Sequence, residues 1–171
     1  MELALAASRV RSWRPGDAAA LARHADNRKI WLNVRDHFPH PYTPADAETW
    51  IQRARGADPE AQFAVEIGGE AAGGVGVFLQ EDGARRSAEL GYWLGEAHWG
   101  RGIMTDVVRR FTAHAFEAYD LLRIYALVFE WNPGSCRVLE KAGFVLEGRL
   151  RRAVLKDGRV LDQFLYATVR E

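Results

Sequence analysis

One stretch limits the fold of this chain more than any other. An apolar run, Ala88-Glu89-Leu90-Gly91-Tyr92-Trp93-Leu94, leads to a turn, Trp99-Gly100-Arg101-Gly102-Ile103-Met104-Thr105. A helical pattern follows from about Thr105 to Tyr119, and then a nearly all-apolar strand, Ile124-Tyr125-Ala126-Leu127-Val128-Phe129. Strand, helix and strand in this order imply that the two strands run parallel, since parallel neighbours need a crossover rather than a hairpin. The second strand is expected to be buried on both faces. The helix carries Val107, Val108, Phe111, Ala115, Phe116 and Tyr119 on one face. Arg109, Arg110 and His114 fall on the other, most simply a solvated face.

The same turn has a chemical reading. Glycine lets a bulky anion come close to the backbone. The first N–H groups of a helix lack internal partners, and the helix dipole favours negative charge there. Residues 99–105 therefore read as a phosphate cradle, although two glycines before a helix also make an ordinary tight turn. A P-loop is disfavoured, because no Gly-Lys-Ser/Thr ending is present.

Composition narrows the function classes. The 171 residues suffice for one domain with a substantial core, and a single domain is expected, since no linker or repeat divides the chain. The 23 basic and 23 acidic residues cancel, unlike the concentrated positive charge of a nucleic-acid binder, so no nucleic-acid partner is expected. No apolar run approaches a membrane span, and the acidic N-terminus is unlike a secretory signal. The single cysteine, Cys136, excludes an internal disulfide and points to a reducing, cytoplasmic setting. Five scattered histidines show no metal-ligand spacing, so no metal is expected.

Elsewhere the pattern alternates between helix and strand. Val10-Arg11-Ser12-Trp13 reads as a short strand, and Asp17 as the cap of a helix from about Ala18 to Ala25. Residues 26–38 place Ile30, Trp31, Leu32, Val34 and Phe38 at roughly helical spacing. Phe38-Pro39-His40-Pro41-Tyr42-Thr43-Pro44 is too proline-rich for regular structure, and Thr43 then caps a helix from about Ala45 to Arg55, with Pro44 in its first turn. Strands near 63–67, 72–79 and 87–94, jointed at Gly68-Gly69 and Asp82-Gly83, form an antiparallel meander. After the 124–129 strand come a helix over about Gly134–Ala142, stopped by Gly143, and two strands around Asp157-Gly158. The order β-α-α-β-β-β-α-β-α-β-β gives an α/β (α+β) chain with a mixed, mostly antiparallel sheet flanked by helices.

Together these pieces resemble the GNAT superfamily of acetyl-CoA-dependent N-acetyltransferases, and most closely its ribosomal-protein N-terminal acetyltransferase branch. The resemblance is carried by Glu89-Leu90-Gly91-Tyr92-Trp93-Leu94, the 99–105 turn, Asn132-x-x-Ser135, Val138-Leu139-Glu140-Lys141-Ala142-Gly143-Phe144, Glu147-Gly148 and Asp157-Gly158-Arg159-x-x-Asp162-x-x-x-Tyr166. Phe38 to Thr43 also resembles the segment before that branch's second helix. The turn departs from the common superfamily pattern: Trp99 stands first, Met104 last, and only Gly102 matches strictly.

The resemblance implies that strands 88–94 and 124–129 splay apart and admit the pantetheine arm of acetyl-CoA. The arm would pair with backbone near Trp93 and Leu94. The pyrophosphate would rest on Gly100, Arg101, Gly102, Ile103, Met104 and Thr105, and backbone near Leu94 would support the oxyanion. It further implies contact of Asn132 with the cofactor arm. Asn132 equally reads as a helix N-cap before Pro133.

Ser135 is the candidate proton donor to the CoA thiolate, because the position where many members carry tyrosine is Leu139 here. Glu89 is the candidate base, or else a carboxylate paired on a half-exposed strand, with Glu130 second; some branch members place a carboxylate where this chain has Val154. Cys136 reads as a small buried residue rather than a nucleophile. Trp31, His37 and Tyr42 lie where the family builds its acceptor pocket; Trp50 reads as core. Arg149, Arg151, Arg152, Lys156 and Arg159 make the last hairpin basic, a solvated face or a lure for an acidic acceptor or the CoA 3′-phosphate. The acceptor would be a protein N-terminus or a small amine, and the chain could pair as a homodimer. A CoA-binding sensor or scaffold without catalysis is the alternative.

Overall fold

The computed structural model describes residues 1–170. Eight strands lie in the order β1-β2-β3-β4-β5-β6-β8-β7. The chain falls into two compact units, each built from two separate segments: Met1–Gly76 with Tyr92–Ile103, and Val77–Gly91 with the chain from Met104 onward.

In the first unit, β1 (Glu2–Ala4) and β2 (Arg9–Arg11) pair antiparallel, and β2 pairs with β3 (Gln62–Ile67). β3 turns into β4 (Glu70–Leu79) through Gly68 and Gly69, both at positive φ, which is what a two-residue hairpin turn demands. Helices α1 (Ala18–Ala25), α2 (Arg28–Trp31) and α3 (Pro44–Gly56) belong to the same unit. Leu21, Ala22 and Ala25 of α1 and Ala47, Ile51 and Ala54 of α3 share one core with Trp13 and Tyr42, and Trp50 packs against it. Thr43 caps α3 as expected: its hydroxyl accepts from the Asp46 N–H at 3.2 Å, and Asp46 answers by accepting from the Thr43 N–H at 2.8 Å.

Asp17 departs from its expected role. Its side chain makes no capping bond to α1. It takes two bonds from the buried Arg11 guanidinium, at 2.7 and 2.8 Å, and one from the Arg14 N–H. Arg11 also reaches Glu66 at 2.5 Å, so one buried cation joins β2, the following turn and β3. Burial alone would raise the Asp17 pKa; its bonds to Arg11 and Arg14 hold it below the ordinary value instead.

In the second unit, β5 (Ser87–Leu94) pairs parallel with β6 (Arg123–Phe129) over Ser87–Glu89 and Arg123–Tyr125, as the crossover requires. β6 pairs antiparallel with β8 (Arg159–Val169), and β8 with β7 (Val145–Lys156), whose hairpin turns on Asp157 and Gly158 at positive φ. The crossover helix α4 (Ile103–Ala118) begins two residues before the expected Thr105, because Ile103 and Met104 are buried rather than looped. Val107, Val108, Phe111 and Ala115 are fully buried, the face their spacing predicts. β6 differs from expectation: Ile124, Ala126 and Val128 are buried, but Tyr125 and Leu127 on the other face are only half-buried. α5 (Pro133–Lys141) follows β6.

Among the described residues, no helix is long and apolar enough to cross a membrane.

Candidate functional site

The glycine turn is built from both sides. Upstream, Gly73 and Gly74 of β4 leave room for the end of β5. A Cβ on Gly73 would stand 2.6 Å from the Trp93 carbonyl oxygen, and one on Gly74 would stand 2.7 Å from the Trp93 indole nitrogen. Trp93 is half-buried and Leu94 buried. The Gly95 N–H donates to the Ala72 carbonyl at 2.8 Å, so it is spent on the sheet. A short 3₁₀ turn, Glu96–His98, follows, and the indole N–H of Trp99 then donates back to the Leu94 carbonyl at 2.7 Å. The end of β5 is thus tied to the start of the loop.

Gly100 and Gly102 stand at φ +71° and +74°. A Cβ at either would meet nothing within 4 Å. Glycine is needed here for its backbone conformation, not for lack of room, and the space above the loop backbone is open. Arg101 between them is exposed, and Ile103 opens α4. Met104 and Thr105 are in its first turn, with the buried Met104 side chain facing core; their contribution to an anion would come from backbone N–H groups.

Beside this loop lies a cluster that the sequence did not announce. The His24 and His98 rings are 5.7 Å apart, His98 Nδ1 lies 3.4 Å from an Arg101 nitrogen, and His24 Nε2 is 3.6 Å from Glu70. Burial, then His24 and Arg101, push the His98 pKa down, against a smaller pull from Glu70. These four residues are spread over positions 24 to 101, so no local pattern could have grouped them. Glu96 of the same turn accepts from Lys29 and from Asn27, anchoring it to the start of α2.

The exit of β6 holds the second part. Asn132 is the N-cap of α5: its Oδ1 accepts from the Ser135 N–H at 3.2 Å, with Pro133 at the first helical position. Ser135 is half-buried in that first turn. Cys136, expected to be buried, is half-buried, because α5 lies partly exposed. Glu130, the second candidate base, is committed elsewhere. It accepts from Arg149 at 3.2 Å and from the Asp162 N–H at 2.9 Å, which pins the turn before Asn132 to the last hairpin. Glu89 is half-buried on β5, opposite Tyr125 of β6. Gly91, two residues on, lies under the Phe78 ring, which a Cβ would approach to 3.1 Å.

The last hairpin is less of a solvated cationic face than its composition suggests. Lys156 is 1% exposed, Arg149 is bound to Asp162 and Glu130, and Arg159 stacks over the Trp131 ring at 5.5 Å. Arg151 and Arg152 are exposed. On the helix face, exposed Arg109 donates to the Lys141 carbonyl at 2.9 Å.

The candidate acceptor residues do not share one environment. Trp31 is half-buried, stacked on His40 at 5.8 Å with Arg28 over its ring at 5.6 Å. His37 is exposed. Tyr42 is core: it packs on Phe38 at 5.0 Å, its N–H is held by Asp26 at 3.0 Å, and burial, then the Asp46 charge, push its pKa to about 12. Phe38, not among the candidate site residues, meets the Trp93 ring edge-on at 5.7 Å. Its proline-flanked aromatic motif was the available signal. Among the described residues, no group of three or more His, Cys, Asp or Glu could hold a metal.

Comparison with known proteins places this geometry. The chain is 48% identical over 86 residues to the "Probable N-acetyltransferase YjcK" of Bacillus subtilis, covering 50% of this chain and 48% of that protein. It is 33% identical over 96 residues to the ribosomal-protein-serine acetyltransferase of Escherichia coli, 56% of this chain and 54% of that protein. It is 27% identical over 154 residues to the spermidine N(1)-acetyltransferase of Vibrio cholerae, 90% and 87%. The segments matched in the first two relatives thus span about half the length of each. Mycobacterium smegmatis RimJ, solved in complex with CoA-disulfide, superposes with a TM-score of 0.84 at 30% identity, covering 95% of this chain and 81% of that one. A model of the acetyltransferase (GNAT) domain matches residues 9–145, most of the chain, and the chain belongs to that family.

Proposed function

We propose that the protein is an N-acetyltransferase that moves the acetyl group of acetyl-CoA directly to a primary amine. The observation that carries this reading is the loop at 100–102: two positive-φ glycines with open space above them, entered from the Trp99–Leu94 bond and leading into the first N–H groups of α4. Such a loop suits a pyrophosphate, and family membership supplies the identity of the donor.

In the proposed reaction the amine nitrogen attacks the thioester carbon. The oxyanion takes a hydrogen bond from backbone near Leu94. The C–S bond then breaks, and the thiolate takes its proton through Ser135, whose hydroxyl regains a proton from solvent in the same step. The attacking nitrogen gives up its own proton to Glu89 or, through water, to solvent. A protein α-amine, with a pKa of about 8, is partly neutral at neutral pH, so it demands less of the base than a lysine amine near 10.4. Glu130 has no part in this, being tied to Arg149 and Asp162. The first part of the chain, with Trp31 and His37, is the proposed acceptor side; Tyr42 supports it from the core.

Both acceptor classes occur among the relatives, since one is named for a ribosomal protein and another for spermidine. The discriminating experiment measures thiol release from acetyl-CoA with serine- and alanine-headed peptides against spermidine and amino acid amides. Peptide-dependent release supports a protein N-terminus; polyamine-dependent release supports a small amine. In the same assay Ser135→Ala lowers kcat with little change in CoA affinity. An unchanged kcat removes Ser135 from the mechanism.

A further inference from the structure

Tyr166 lies on β8, opposite Ala126 of β6, and is 3% exposed. Its hydroxyl leaves the sheet toward α5 and donates to Glu140 Oε1 at 2.9 Å. Cys136 and Glu140 are four residues apart on a helix, so they stand one above the other on a single face. One buried phenol therefore holds that face through Glu140. It adds to the buried Leu139 and the Arg109–Lys141 bond in fixing the rotation of this nine-residue helix. Rotation matters here because Ser135 precedes Cys136, and Asn132 caps the same first turn.

We propose that Tyr166 is a positioning residue for acetyl transfer: its hydroxyl, bound to Glu140, sets the rotation of α5 and with it the direction of Ser135. This rests on the reading of Ser135 as the proton donor. Tyr166 itself touches neither donor nor acceptor. Burial, then its bond to Glu140 and the neighbouring Cys136, push its pKa far above the ordinary value, so the phenol stays protonated in the working range.

The test uses the intact chain and its one cysteine. Tyr166→Phe keeps the ring and removes the hydroxyl. With acetyl-CoA and a serine-headed peptide or spermidine, whichever turns over, kcat falls roughly tenfold while the KM for acetyl-CoA changes less than twofold. Ellman's reagent labels Cys136 several-fold faster. Glu140→Leu reproduces both effects, and Glu140→Gln, which keeps an accepting oxygen, recovers most of the loss. In the Ser135→Ala background, Tyr166→Phe lowers kcat little further. A Tyr166→Phe protein with unchanged melting temperature and either wild-type kcat or wild-type labelling overturns the inference, as does full additivity with Ser135→Ala. If Ser135→Ala itself keeps wild-type kcat, the donor reading and this inference fall together. If it lowers kcat while Tyr166→Phe does not, only the positioning role falls.

Discussion

The indole N–H of Trp99 donates to the carbonyl of Leu94 at 2.7 Å. This bond closes the end of β5 onto the loop that follows, and it joins the two backbone segments proposed to hold acetyl-CoA. Trp99 is 42% exposed, so its ring contributes little to the core, and its value lies in that bond. Trp99→Phe keeps most of the ring and loses the donor. A neutral hydrogen bond of this kind contributes about 0.5–1.5 kcal/mol. Calorimetric titration with CoA is therefore expected to show a Kd raised by about 2- to 10-fold, with the melting temperature nearly unchanged.

Gly102 calls for a different kind of substitution. Its φ of +74° costs an L-residue about 1–2 kcal/mol, and no atom blocks a Cβ. Gly102→Ala should lower stability by about that amount and weaken CoA binding. Gly102→Asn, whose side chain tolerates this backbone region, should lose less. Equal losses for the two would point to a steric cause instead.

Much of the β5–α4–β6 core was legible because period and punctuation agree there: strands in period two, a helix in period 3.6, glycines between. The Thr43 and Asn132 caps and the Asp-Gly hairpin were legible for the same reason, being local. Errors arose wherever distant residues decide. Asp17 reads as a cap until Arg11 competes for it, and Lys156 reads as solvated until the fold buries it. β1 is three residues long, too short for alternation to show. Residues 26–38 are helically spaced, but only Arg28–Trp31 is an α-helix, since Asn27 caps it and the prolines beyond Phe38 stop regular structure. The glycine loop and the Asn132 cap were legible as local structure. The Phe38–Trp93 contact, the His24–His98 pair and the Tyr166–Glu140 bond were not, because each depends on a partner dozens of residues away.

Arg11 and Asp17 form a buried pair, with side chains 3% and 9% exposed. Removing the Asp17 charge leaves Arg11 paired with Glu66 alone, at a cost of up to about 3–5 kcal/mol, the upper end being that of a fully stranded buried charge. Asp17→Asn is expected to lose up to that much in urea denaturation. Because the Asp17 pKa is lowered from 3.8, its contribution is complete above that pH and declines as the pH falls below it. The variant should therefore show a weaker acid dependence of stability below pH 3.8 than the parent.

His98 works at a higher pH. Its pKa is lowered from 6.5, so the unfolded chain takes up the proton first as the pH falls. Its contribution to stability is complete above pH 6.5 and shrinks below it. His98→Gln should flatten the stability profile in that window. An unaltered profile would mean that burial, His24 and Arg101 do not hold the His98 pKa down.

The central claim is amine acetylation from acetyl-CoA held on the 100–105 loop. It is tested most directly by following CoA thiol release and the acetylated amine together, by thiol titration and mass spectrometry, across the peptide and small-amine panel. The account predicts release that depends on the amine, one acetylated amine per thiol, and rates that rise with pH toward the pKa of the amine. A protein that binds CoA, gains thermal stability from it, and releases no thiol above hydrolysis with any amine would contradict the account and make the fold a CoA-binding sensor or scaffold.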